Sequence, residues 1–139
     1  MQNPDAAPFK TTGWVESGAG RGAEFLSLDW VLKELRRELS LIPYPGTLNL
    51  RVPPEVRNAL FARRASFLRI ADPSAPDCPG YVERVILRAN GVVCPSAYLI
   101  LPERTMYKDV LEVISAYNLR QKLNLQDGDA VEVEEFPVT

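Results

Sequence analysis

YVERVILRANGVVCPSAYLIL, residues 81–101, is the stretch whose reading decides the fold. Two runs rich in valine, isoleucine and leucine flank Asn90-Gly91, the dipeptide that most readily takes the positive φ values of a tight hairpin turn. Residues 81–89 and 92–101 are therefore expected to pair as antiparallel strands. Outward from this hairpin, further short strands are expected at residues 10–16 (KTTGWVE, with Trp14 and Val15 as apolar members), 66–70, 109–115 (DVLEVIS) and 130–136 (AVEVEEF), the last entered through an Asp127-Gly128 turn. In residues 47–52 the alternation puts Leu48, Leu50 and Val52 on one face and Thr47, Asn49 and Arg51 on the other. Residues 71–80 (ADPSAPDCPG) read as a surface loop by their proline and glycine content.

Helical spacing governs only the front of the chain. Leu28, Val31, Leu32, Leu35 and Leu39 recur on one face, Ser27 is placed as an N-cap with Asp29 in the first turn, and Pro43 and Pro45 end the helix. Pro53-Pro54 opens a short helix reaching Arg64, and residues 119–123 form a helical turn. The expected class is mainly β: roughly six short strands closing into a barrel, with one long helix and short helical connections. Residues 1–9 read as a loose tail and residues 10–137 as one domain, long enough to bury its own core.

Composition narrows the function. Sixteen basic against eighteen acidic residues give a net charge of −2, so no global positive field is available to hold a polyanion, and no nucleic-acid partner is expected. With no histidine, Cys78 and Cys94 cannot join a Cys-His pair or a mixed zinc cluster and read as free thiols. The start MQNPDAAPFK lacks the basic and apolar regions of a signal peptide, and no apolar run reaches the length of a membrane span. A cytoplasmic monomer that does not bind membranes is the expectation.

Two clusters remain that could carry chemistry. Gly18, Ala19, Gly20, Arg21, Gly22 and Ala23 follow a strand, and alternating glycines let backbone amides face a phosphate; a flexible turn is equally compatible. The run matches neither the dinucleotide fingerprint nor the Walker loop. Thr47 and Asn49 are either a solvent-facing pair or two oxygen ligands for a magnesium ion, which keeps several waters and needs one or two protein oxygens besides substrate phosphates. Thr105 and Glu112 could bind a polar ligand edge, while Tyr117, Asn118, Leu119 and Arg120 read as a helix entry with Arg120 able to meet an anion. Residues 123–133 (LNLQDGDAVEV) read as structural.

In order along the chain, SGAGRGAEFLSL, IPYPGTLNLRV and LPERTMYKDVLEVISAYNLRQKLNLQDGDAVEV resemble the CTP-dependent riboflavin kinases best known from archaea, over residues 13–52 and 99–133. The resemblance implies a six-stranded cradle-loop barrel that transfers the γ-phosphoryl group of CTP to the 5′-hydroxyl of riboflavin, giving FMN and CDP with magnesium as cofactor. It implies that Gly18 to Ala23 and Tyr117 to Arg120 contact the nucleotide, that Thr47 and Asn49 hold the metal, and that Thr105 and Glu112 bind the flavin. No general base is implied; Glu112 is the acid nearest the acceptor hydroxyl. Two departures stand out: Glu24 replaces a more usual aromatic or apolar residue, and the segment around Met106 differs in length by one residue. The winged-helix region that some relatives carry in front is not expected. A barrel that binds flavin or nucleotide without catalysis is the competing reading, and a DNA-binding barrel is disfavoured by the balanced charge.

Overall fold

The structure, a computed structural model, describes residues 8–17, 25–104 and 108–137. Among these, seven strands form one antiparallel sheet: β1 (Lys10–Glu16), β2 (Leu48–Arg51), β3 (Leu68–Asp72), β4 (Ala75–Ala89), β5 (Val92–Pro102), β6 (Val110–Ile114) and β7 (Ala130–Glu135). Helices α1 (Asp29–Leu39) and α2 (Pro54–Ala62) and the single turn α3 (Leu119–Lys122) connect them. The strand order is β3-β4-β5-β6-β2-β1-β7, and β7 pairs again with β4, so six strands form a ring of ladders with β3 outside it.

The β4–β5 hairpin forms where expected. Asn90 and Gly91 take φ of 52° and 75°, and Ala89 pairs with Val92. Asn90 also donates from Nδ2 to the carbonyls of Leu123 and Asn124, so the turn is anchored to the chain that leads into β7. Inside the ring, Leu48, Leu50 and Val52 are buried together with Leu87, Leu99, Leu111, Val113, Val131 and Val133, as the alternation predicts. Gly13 fits a close crossing of β1 over β2, because a Cβ there would come within 2.8 Å of Leu50 Cβ.

A second core lies on the opposite face of the sheet. Val31 and Leu35 of α1 pack with Ile70, Val82, Ile100 and Ile114. Strand β6 is therefore covered on both sides, which is why VLEVI is buried at every position and does not alternate in polarity.

Five expectations change. Helix α1 has eleven residues, three turns rather than a long helix, and is flanked by Leu28 at the N-cap position instead of Ser27. It stops at Leu39, where Ser40 adopts a left-handed φ of 52° and donates its N–H to the Arg36 carbonyl, so the helix is closed before Pro43 is reached. Trp14 is 47% exposed, and only Val15 of that pair enters the core. Residues 71–80 are not a free loop: β3 turns tightly into β4, and Ile70 pairs with Gly80 while Asp72 pairs with Ala75. One residue of β3 thus stands opposite four of β4, and Pro76 and Pro79 occupy that bulge, where no ladder N–H is required of them. No helix among the described residues is long and apolar enough to cross a membrane.

Candidate functional site

The register between β2 and β6 builds the site. Leu48 pairs with Val113, Asn49 with Glu112 and Leu50 with Leu111. Directly opposed residues of an antiparallel pair share a face, so Asn49 and Glu112 stand side by side on the face away from the ring's core, with Thr47 two residues upstream of Asn49. The Thr47 hydroxyl donates to Asn49 Oδ1 at 2.9 Å, which locks the two oxygens in one half-buried pair. Among the described residues, no group of three or more His, Cys, Asp and Glu side chains could hold a metal ion.

Glu112 is 8% exposed, and its Oε2 is buried with no hydrogen-bond partner. Burial pushes its carboxyl above the usual range, and the nearby Arg57 guanidinium opposes that rise. Arg57, on α2, is itself 7% exposed; burial lowers its pKa and Glu112 works against the lowering.

Below Thr47 opens a cleft of about 250 Å³, lined by Tyr44 to Leu48 on one side and by Val113 to Ser115 and Tyr117 to Arg120 on the other. Its two walls are tied together: the Tyr44 N–H donates to the Ser115 carbonyl at 2.8 Å, and Asn118 Nδ2 donates to the Tyr44 hydroxyl at 3.2 Å. Asn118 also caps α3, accepting the Gln121 N–H at its Oδ1. Tyr117 is 49% exposed, and the Lys122 ammonium lies 4.1 Å from its ring centroid. The cleft thus presents an aromatic face, amide and hydroxyl groups, and Arg120 at its rim.

Thr47, Asn49, Glu112 and Tyr117 to Arg120, singled out in the sequence, are therefore brought together around the paired ends of β2 and β6. Gly18 to Ala23, Glu24, Thr105 and Met106 lie outside the described residues. Two residues escaped the sequence reading. Asp127 accepts hydrogen bonds from Arg120 Nη2 at 2.7 Å and from the Ser17 hydroxyl at 2.9 Å, and these bonds, Arg120's first, hold its carboxyl below the usual range. It joins the last described residue before the glycine-rich run to the α3 segment, where the sequence offered only a turn signal. Arg57 lies in the short helix opened by Pro53-Pro54, and nothing in its spacing marks it as buried.

The family model CTP-dep_RFKase, described as a domain of unknown function (DUF120), matches residues 15–134. The riboflavin kinase of Archaeoglobus fulgidus is 42% identical over 135 residues, covering 94% of this chain and 56% of that protein. That of Thermoplasma volcanium is 40% identical, covering 88% of this chain and 56% of its own length, and that of Methanobrevibacter smithii is 35% identical, covering 91% and 99%. The chain spans little more than half of the first two relatives and nearly all of the third. A match over residues 15–134, together with these identities, shows that the chain belongs to the CTP-dependent riboflavin kinase family.

Proposed function

We propose that this chain is a riboflavin kinase that transfers the γ-phosphoryl group of CTP to the 5′-hydroxyl of riboflavin, yielding FMN and CDP, as a cytoplasmic monomer. The observation that carries the reading is the β2–β6 register: it sets the Thr47–Asn49 oxygen pair directly beside a buried carboxylate and at the lip of a cleft lined by Tyr117 to Arg120. We read the ring of six ladders as a closed barrel, with this site on its outer face.

Phosphoryl transfer asks for alignment and charge neutralisation more than for covalent help. A magnesium ion binds oxygens at about 2.0–2.1 Å in octahedral geometry, so neighbouring ligands stand about 2.9 Å apart, the separation of Thr47 Oγ1 and Asn49 Oδ1. That spacing supports the two side chains as ligands, Thr47 offering a hydroxyl lone pair while its O–H points to Asn49 Oδ1, and Asn49 offering the remaining lone pair of that amide oxygen. When bound, the ion would screen the charge of the nucleotide phosphates. The cleft below would receive the nucleotide, Tyr117 giving its base or sugar an apolar face and Arg120 an anion contact. Gly18 to Ala23 would supply amides to the phosphates, and Thr105 with Glu112 would hold the flavin. Glu112, beside Asn49 in the ladder, would face the end of the acceptor that meets the phosphoryl group.

Incubating purified protein with riboflavin, magnesium and CTP, ATP or GTP in turn, and separating FMN from riboflavin by chromatography, tests this reading. FMN formed with CTP in preference to the purine nucleotides is expected. Flavin binding without turnover of any nucleotide would replace it with a non-catalytic flavin-binding barrel.

A further inference from the structure

Two oppositely charged side chains on adjacent elements lie more than nine-tenths buried, and among the described residues neither is joined to a hydrogen-bonding side chain. Arg57 projects from α2, which packs against β6, the strand that carries Glu112. Glu112 Oε2 is buried and accepts nothing. Among the described residues Arg57 forms no hydrogen bond or salt bridge, and its guanidinium lies over the Phe61 ring, 5.7 Å from the centroid. Each is felt by the other as a charge, yet no ion pair closes between them. A buried charge pair held apart is costly to the fold, because neither desolvated group is repaid by a direct contact. Such an arrangement makes chemical sense if a third group completes it.

That group must both donate and accept. A hydroxyl does so with a single oxygen, giving its proton to a carboxylate and accepting from a guanidinium. Position says which hydroxyl. Asn49 is the ladder neighbour of Glu112, so the missing group lies next to the Thr47–Asn49 pair, at the polar end of the acceptor and away from the far edge of its ring.

We propose that Arg57 and Glu112 form a clasp for a hydroxyl of the acceptor's polyol chain, with Arg57 a specificity-determining residue for that chain. The clasp rests on the riboflavin reading above. Glu112 accepts the hydroxyl's hydrogen bond and Arg57 donates to its oxygen, so the chain is held extended toward the phosphoryl donor. A flavin lacking the polyol would leave both charges buried and unmatched, and would be rejected for that reason as well as for its lost contacts.

Flavin fluorescence titrations separate the possibilities without requiring turnover. Wild-type protein is titrated with riboflavin and with lumiflavin, which has the same ring system without the polyol, and both titrations are repeated with Arg57→Met and Arg57→Lys. The wild type is expected to prefer riboflavin by about tenfold or more, the equivalent of one hydrogen bond to a charged group. Arg57→Met is expected to erase most of that preference by weakening riboflavin binding alone, and Arg57→Lys to restore part of it, while the KM for CTP stays unchanged. Equal weakening of both flavins, or an unchanged preference in a variant that melts at a lower temperature, would overturn the clasp and leave Arg57 a structural residue. Should Arg57→Met not fold, the Arg57→Lys ratio decides: a preference identical to the wild type's would count against the clasp. Absence of any flavin binding by the wild-type protein would overturn the riboflavin reading itself, an outcome distinct from a failed clasp.

Discussion

The β4–β5 hairpin and the β2–β6 ladder use the same antiparallel geometry for opposite ends. The hairpin is local: nine paired positions run from Ala89↔Val92 to Gly80↔Pro102, fixed by one turn. The β2–β6 ladder joins four positions of segments some sixty residues apart, and on its face away from the ring's core Asn49 stands against Glu112. A hairpin closes a short loop and can be read from its turn; a distant ladder is fixed only when the rest of the ring has formed. The long pairing fixed by a turn is therefore local, and the site is carried by the distant one.

That contrast breaks most sharply by mutation of the ladder. Asn49→Ala or Thr47→Ala is expected to lower FMN formation by about 10²-fold or more while the thermal midpoint stays within a degree or two of wild type, because the lost oxygen is half-exposed and outside the core. Steady-state assays paired with calorimetry check it. Leu87→Ala in the hairpin should do the converse. Leu87 is fully buried, so its truncation is expected to cost about 2–5 kcal/mol in denaturant titrations and to leave the turnover of the remaining folded protein intact.

Glu83 sharpens the picture on the hairpin side. Burial, and then the Glu135 carboxylate, push its pKa from 4.5 to about 7. The folded protein therefore holds a proton that the unfolded chain has lost, and this residue's contribution to stability falls as pH rises from 4.5 to about 7. Glu83→Gln should accordingly stabilise the protein at pH 8, by about 1 kcal/mol after allowance for solvent screening, and make no difference below pH 4. Melting curves at the two pH values would show it. The smallest effect is expected at the rim of the cleft: Asp127→Asn loosens the Arg120–Asp127–Ser17 link and should raise the KM for CTP about two- to fivefold with kcat unchanged.

What could be read from the sequence follows the same division. The period-two alternation of Leu48, Leu50 and Val52 and the Asn90-Gly91 turn are local signals that placed their residues where the structure has them; the helical stripe did so for Val31 and Leu35, while Leu28 and Leu32 of the same stripe are exposed. Thr47 and Asn49 were legible as a pair because they stand two residues apart in one extended segment, Asn49 in β2 and Thr47 just before it. The neighbour that turns them into a site, Glu112, is brought by a register that no local pattern encodes. Arg57 and Asp127 were hidden for a related reason: a charge in a short helix and an aspartate in a turn look alike whether they face water or a buried partner. Pro76 and Pro79 misled in the other direction, since proline opposes a regular ladder and says nothing against a bulged one.

The central claim is that Asn49 and Glu112, joined across the β2–β6 ladder, act as one site. A double-mutant cycle on kcat/KM for FMN formation, using Asn49→Ala, Glu112→Gln and the double variant, tests it most directly. If the two residues serve one arrangement of donor and acceptor, the double variant should be scarcely slower than Asn49→Ala alone. Losses that multiply, with each variant's deficit fully present in the other's background, would mean that the two side chains act independently and would contradict the account.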